Sequence, residues 1–163
     1  MSESIESQSL PKEGEILLIF CRKSELYDAV ESLGLGKIVK KESGEPYIPD
    51  SPYRISLSHK DSAGTVAISL ASVGVDMENV TVPRNVERLS RLFAEEERPE
   101  TLYDFYRVWT GKEATGKKEG TGITSELLNK RTEGVRYVDF GDYLVCVAGE
   151  GEIKIKEYGN DKE

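Results

Sequence analysis

Residues 101–118 carry Leu102, Phe105, Tyr106 and Trp109 at i, i+3, i+4 and i+7, the strongest helical periodicity in the chain. On both sides of it the pattern changes to short stretches of strand character. Residues 54–59 set Ile55, Leu57 and His59 on one face, 65–70 set Val66, Ile68 and Leu70, and a turn-like 60–64 lies between them. Residues 73–80 read as a further strand, ending before a turn at Pro83. After the helix come strands at 136–140, 143–148 and 153–158, the first two joined by the two-residue turn Gly141-Asp142. A helical stripe set among such strands, with neither a G-x-G-x-x-G nor a P-loop pattern, predicts an α+β chain rather than a doubly wound nucleotide fold.

The remaining segments fit this class. Residues 15–20 (EILLIF) read as a buried strand, and 24–33 as a short helix with Leu26, Val30 and Leu33 inward, Ser24 as N-cap and Gly34 as stop. Gly44, Pro46, Pro49 and Pro52 make 40–53 an ordered loop or linker. Residues 85–98 place Val86, Leu89, Leu92 and Phe93 at helical intervals, with Pro99 ending that second helix. Each half of the chain holds a hairpin and helical material, a loose internal echo. With 163 residues and 37% hydrophobic content, a single compact domain is expected, its tail at 159–163 frayed.

Charge and cysteine content narrow the function classes. Asp and Glu number 30 against 22 Lys and Arg, a net charge of −8, which argues against a general nucleic-acid binder. Cys21 and Cys146 sit in apolar runs and read as buried thiols of a reducing compartment. The polar head 1–9, with Glu3 and Glu6, lacks signal-peptide chemistry, and no apolar run is long enough to span a bilayer. The expectation is a soluble, cytoplasmic protein with no membrane partner.

Three carboxylates carry the candidate chemistry. Asp76 and Glu78 stand two apart in GVDME, so in a strand they share a face while Val75 and Met77 turn to the core. With Glu113 from the tryptophan-bearing helix they suit a Mg²⁺ ion that keeps waters and phosphate oxygens as its other ligands. The bland alternative is a solvated acidic face, and Glu113 with Lys117 is equally an ordinary i, i+4 pair. Trp109 continues the apolar stripe and reads as core. His59 is the only histidine, and a lone histidine is more often structural than catalytic. One His and two scattered Cys leave neither a zinc cluster nor a nucleophile triad to assemble.

Taken in order, these pieces resemble the Sfp-type 4′-phosphopantetheinyl transferases. The family pattern G-I/V-D-x-E is matched by Gly74-Val75-Asp76-Met77-Glu78, and F-Y-x-x-W-S/T-x-K-E-A/S-x-x-K by residues 105–117. The K-x-E-G-x-G continuation is matched at 117–122. Upstream, G-K-P-x-I/L-P and I/L-S-H-S are approximated by 44–49 and 57–60.

The resemblance implies two pseudo-symmetric α+β halves, at about 14–72 (shortened) and 73–158, each with a small antiparallel sheet and helix, meeting at a cleft for coenzyme A. It implies Mg²⁺-dependent transfer of 4′-phosphopantetheine from coenzyme A to a serine of an apo acyl or peptidyl carrier protein, releasing adenosine 3′,5′-bisphosphate. Asp76, Glu78 and Glu113 match the metal-binding carboxylates. Glu113 also matches the general base, acting directly or through water. Lys112 and Lys117 match pyrophosphate contacts, and His59 a contact to the nucleotide 3′-phosphate. A pseudo-symmetric chain completes its own cleft, which favours a monomer. The other readings are a non-catalytic carrier-binding module and a Mg²⁺-dependent coenzyme A phosphohydrolase.

Two positions depart from the family pattern: Glu45 stands for the lysine of G-K-P, and Lys60 for the serine after the histidine. An acid at 45 repels phosphate. Glu45→Lys should therefore lower the apparent KM for coenzyme A in a steady-state transfer assay; an unchanged KM would remove Glu45 from the binding site.

Overall fold

The computed structural model describes residues 10–159; the polar head 1–9 and the end of the tail, 160–163, lie outside the described residues. Strand β1 (Glu15–Arg22) organises the first sheet because it is apolar on both faces. Leu17, Ile19 and Cys21 face one core cluster, and Ile16 and Leu18 face another. It pairs antiparallel with β5 (Ala63–Ser69), which pairs antiparallel with β4 (Arg54–Lys60). On its other edge lies β9 (Glu152–Glu157), from the far end of the described chain, running parallel to it. The sheet order is therefore β4-β5-β1-β9. The β4–β5 turn is tighter than 60–64, because the ladder continues to the Lys60–Ala63 pair and Asp61 takes a left-handed φ of 57°.

Helix α1 (Leu26–Glu31) covers this sheet with Leu26, Ala29 and Val30 buried. Ser24 does not cap it. The chain first makes a 3₁₀ turn (Lys23–Glu25), with the Lys23 N–H donating to the Ser62 carbonyl at 2.8 Å. The segment 40–53 is also more regular than a loop: β2 (Val39–Lys40) and β3 (Pro46–Tyr47) form a small hairpin.

The second sheet comprises β6 (Gly74–Asn79), β7 (Val135–Phe140) and β8 (Tyr143–Ala148), all antiparallel, in the order β6-β8-β7. Between the sheets lie Ile16, Leu18, Ala67, Val75, Met77, Val145 and Val147. The continuous helix expected over 85–98 is instead a single turn, α2 (Val86–Leu89), with 3₁₀ turns at Ser90–Leu92 and Glu95–Glu97. Phe93 is extended, with φ −105° and ψ 162°, which lets its ring enter the Phe105, Tyr106 and Leu144 cluster. The Ala94 N–H then donates to the Leu128 carbonyl at 3.1 Å, drawing the chain away from any helical course.

Helix α3 (Leu102–Glu119) follows its apolar stripe. Thr101 caps it by accepting from the Asp104 N–H at 3.1 Å, and Gly120 ends it with a φ of 76°. Trp109 stacks on Phe105 at 6.2 Å between ring centroids. A one-turn helix, α4 (Ser125–Leu128), capped by Thr124, has no counterpart in the periodicity. Cys21 and Cys146 are both buried free thiols. Among the described residues no helix is long and apolar enough to cross a membrane. The architecture is α+β, built of small, mostly antiparallel sheets with helices packed on them.

Two contacts join the sheets where the acidic motif lies. Strands β4 and β6 run side by side: the Val75 N–H donates to Ser56 Oγ at 3.0 Å and the Met77 N–H to Ser58 Oγ at 3.1 Å. Helix α3 presses on the start of β6, where a methyl group on Gly74 would overlap the Ala114 carbonyl oxygen and the Lys118 amide nitrogen. Backbone on both sides leaves nothing flexible to yield. Gly74→Ala should lower the unfolding free energy by about 1–3 kcal/mol in urea denaturation; a neutral effect would mean that the helix does not seat there.

Candidate active site

Strand alternation in β6 sends Val75 and Met77, 0% and 1% exposed, into the intersheet core. Asp76 and Glu78 therefore emerge together on the face covered by α3. Both are nevertheless largely buried, which sets them apart from a solvated acidic pair. From α3, Glu113 and Lys117 approach the same face. Lys117 Nζ lies 3.8 Å from Asp76 Oδ1 and donates to the Leu57 carbonyl of β4 at 2.8 Å. From the end of β4, Lys60 Nζ lies 3.3 Å from Glu78 Oε1.

Asp76 is the electrostatic centre of this group. Burial pushes its pKa up to about 7; Lys117 and the Ser58 hydroxyl, which donates to Oδ1 at 3.3 Å, oppose the shift, and Glu113 and Glu78 add to it. Its second oxygen, Oδ2, is buried with no hydrogen-bond partner. Glu113 also holds its proton more tightly than an ordinary glutamate, first through burial and then through Glu78, with Lys117 and Lys60 opposing. The three carboxylates thus feel one another, which makes hard oxygen donors available for a cation. Among the described residues no three His, Cys, Asp or Glu side chains converge closely enough to hold a metal ion as they stand. The orphaned Oδ2 and the mutual repulsion of the acids fit a divalent cation; lysines occupy two of the carboxylates.

Beside the acids a cavity of about 280 Å³ is lined by Lys40, Glu45, Pro46, Leu57, His59 and Lys117, with Gly116, Gly120 and Gly122. His59 is exposed and is harder to protonate than a free histidine, through burial and then the charges of Lys23, Lys117, Lys60 and Lys40. Four lysines around one imidazole make a local cationic field in an acidic protein. Gly120 and Gly122 reach the cavity because the chain turns back over α3, with the Thr121 and Gly122 N–H groups both donating to the Gly116 carbonyl. Glu45 is not a lone acid there, since Lys41 lies 3.6 Å from it.

Lys112 is not brought to this group. It is fully buried, and its Nζ donates to Glu97 Oε1 and to the Lys130 carbonyl, both at 2.6 Å. Glu97 Oε2 in turn accepts from the Thr132 N–H at 2.7 Å. These bonds brace the helix against the 3₁₀ turn before it and the loop after α4. Nothing in the spacing of the chain points to Glu97. Ser58, whose hydroxyl touches both Asp76 and the β6 backbone, was also missed, although its alternation with Ser56 is a visible signal.

No family model matches the chain. A protein of Haemophilus influenzae named "Putative 4′-phosphopantetheinyl transferase" is 28% identical over 127 residues, covering 71% of this chain and 53% of that protein. The 4′-phosphopantetheinyl transferase Sfp of Bacillus subtilis is 31% identical over 96 residues, covering 53% of this chain and 42% of that one. The chain spans about half the length of these curated relatives.

A buried ion pair that loses one member leaves a charge unpaired. Lys112→Ala should therefore cost about 3–5 kcal/mol of unfolding free energy by urea titration; a loss below about 1 kcal/mol would show that the brace is not structural. The acidic strand and the helix beside it lie within a chain that is similar in sequence to two proteins named as 4′-phosphopantetheinyl transferases.

Proposed function

We propose that the chain transfers 4′-phosphopantetheine from coenzyme A to a serine hydroxyl of an apo acyl or peptidyl carrier protein, releasing adenosine 3′,5′-bisphosphate. The observation that carries this reading is the buried, partnerless Asp76 Oδ2 beside Glu78 and Glu113, next to a cavity lined by Lys40, His59 and Lys117. Asp76, Glu78 and Glu113 would hold the divalent ion. A Mg²⁺ ion bound there would offset charge on the pyrophosphate as its phosphorus is attacked. Lys117, within reach of both Asp76 and the cavity, pairs with a pyrophosphate oxygen. His59, in its ring of lysines, takes the 3′-phosphate of the nucleotide.

Glu113 is the proton acceptor for the carrier serine, directly or through a water. Its raised proton affinity suits that task better than an ordinary glutamate's would. Most of the catalysis is then positioning and charge offset, as is general for phosphoryl transfer. Lys112 acts here as a brace that fixes the pitch of α3. We take 14–72 and 73–158 as the two halves, with β9 returning to the first sheet, and a monomer in the cytoplasm as the working form.

Incubation with apo carrier protein, coenzyme A and Mg²⁺ should add the phosphopantetheine mass to the carrier. Chelation should abolish the addition, and Asp76→Asn or Glu113→Gln should slow it by at least about 100-fold with the fold kept. No adduct on a panel of carriers would overturn the reading. Release of adenosine 3′,5′-bisphosphate without any carrier would indicate a hydrolase instead. Carrier binding without coenzyme A binding would indicate a non-catalytic module.

A further inference from the structure

Lys60 is one of the two positions where the chain departs from the motif it otherwise matches, and it ends beside the acids. Ser56, Ser58 and Lys60 project to the same side of β4 by strand alternation. Ser56 meets the amide of Val75 and Ser58 that of Met77, so two steps along β4 match two steps along β6. One more pair of steps brings Lys60 to the Glu78 end. There its Nζ lies 3.3 Å from Glu78 Oε1, with the lysine side chain 35% exposed and the glutamate 12%. Lys60 also acts on Glu113, lowering its proton affinity.

Two ammonium groups, Lys60 and Lys117, thus face three carboxylates. An ion approaching Glu78 meets an oxygen already engaged and a positive charge already in place. The two lysines differ in how firmly they are held. Both side chains are 35% exposed, but Lys117 is anchored by the Leu57 carbonyl as well as by Asp76, whereas Lys60 meets Glu78 at the end of a flexible stem.

We propose that Lys60 is a tethered cation that holds Glu78 until a divalent ion takes it, and so sets the concentration at which the site loads. The inference rests on the reading of Asp76, Glu78 and Glu113 as a divalent-cation site. Without metal, Lys60 keeps the acids from driving one another apart. With metal, it must withdraw from Glu78 or stay as an unfavourable neighbour, and either way it weakens binding. A small neutral side chain at position 60 would remove that competition while leaving every carboxylate in place.

The test uses Mn²⁺ as the probe, titrated into the metal-stripped protein and monitored by the paramagnetic resonance signal of the free ion. Lys60→Ser and Lys60→Gln should both bind Mn²⁺ roughly tenfold more tightly than the unaltered chain, the order expected for removing one charge at this range. Lys60→Arg should stay within about twofold, since it keeps the charge. Melting in the presence of chelator should be little changed, as expected for a part-exposed pair. Equal or weaker Mn²⁺ binding by both neutral variants, with clear binding by the unaltered chain, would overturn the role of Lys60 alone. Absence of Mn²⁺ binding in every protein would overturn the cation site and the lysine inference together.

Discussion

Strands β4 and β6 lie side by side with serine hydroxyls, rather than a backbone ladder, carrying the polar contact between them. Ser56 and Ser58 each accept an amide proton from β6. Because β4 belongs to the first sheet and β6 to the second, these two bonds fix how the sheets meet. The same alignment places the charged groups: Ser58 reaches Asp76, Lys60 reaches Glu78, and the Leu57 carbonyl anchors Lys117. The close seat of α3 on Gly74 sets the remaining coordinate by bringing Glu113 and Lys117 to the same face. A site assembled this way has one acid pair on a strand and one acid on a helix, each held by packing that does not involve the acids.

That rigidity has an electrostatic cost. Asp76 is pushed up to about 7 chiefly because burial disfavours its ionised form. A carboxyl whose proton affinity rises on folding is best tolerated below its ordinary range, and its contribution to stability falls as pH climbs toward 7. Near neutrality the fold therefore carries a strained acid, relieved in part by Lys117 and Ser58. Such local instability is characteristic of sites arranged for binding or catalysis rather than for stability.

Much of this was legible in the residues. Helix α3 was, because Leu102, Phe105, Tyr106 and Trp109 form an apolar stripe at helical spacing. The strands of the second sheet were, because Val75 and Met77 alternate with Asp76 and Glu78 and a two-residue turn joins β7 to β8. Segment 85–98 was not. Val86, Leu89, Leu92 and Phe93 are spaced for a helix, but Phe93 gains more by leaving it to pack against Phe105 and Leu144. The surroundings of Lys112 were invisible for a similar reason: its partners, Glu97 and Lys130, come from outside its own helix and leave no periodic mark. Local spacing reported which residues share a face, and distant contacts decided what that face meets.

The parallel pairing of β9 with β1 bears on how the chain matures. The central strand of the first sheet keeps one edge open until residues 152–157 have been synthesised, since among the described residues no earlier segment occupies that position. An apolar strand left uncovered for so long invites pairing with another molecule. Once docked, the closing strand sets the exposed Glu152, Lys154 and Glu157 along the rim, Lys154 lying 3.5 Å from Glu152, and charged side chains on an edge discourage further strand addition. Strand β9 thus acts as a latch on β1, covering an apolar strand edge with residues far from it in sequence.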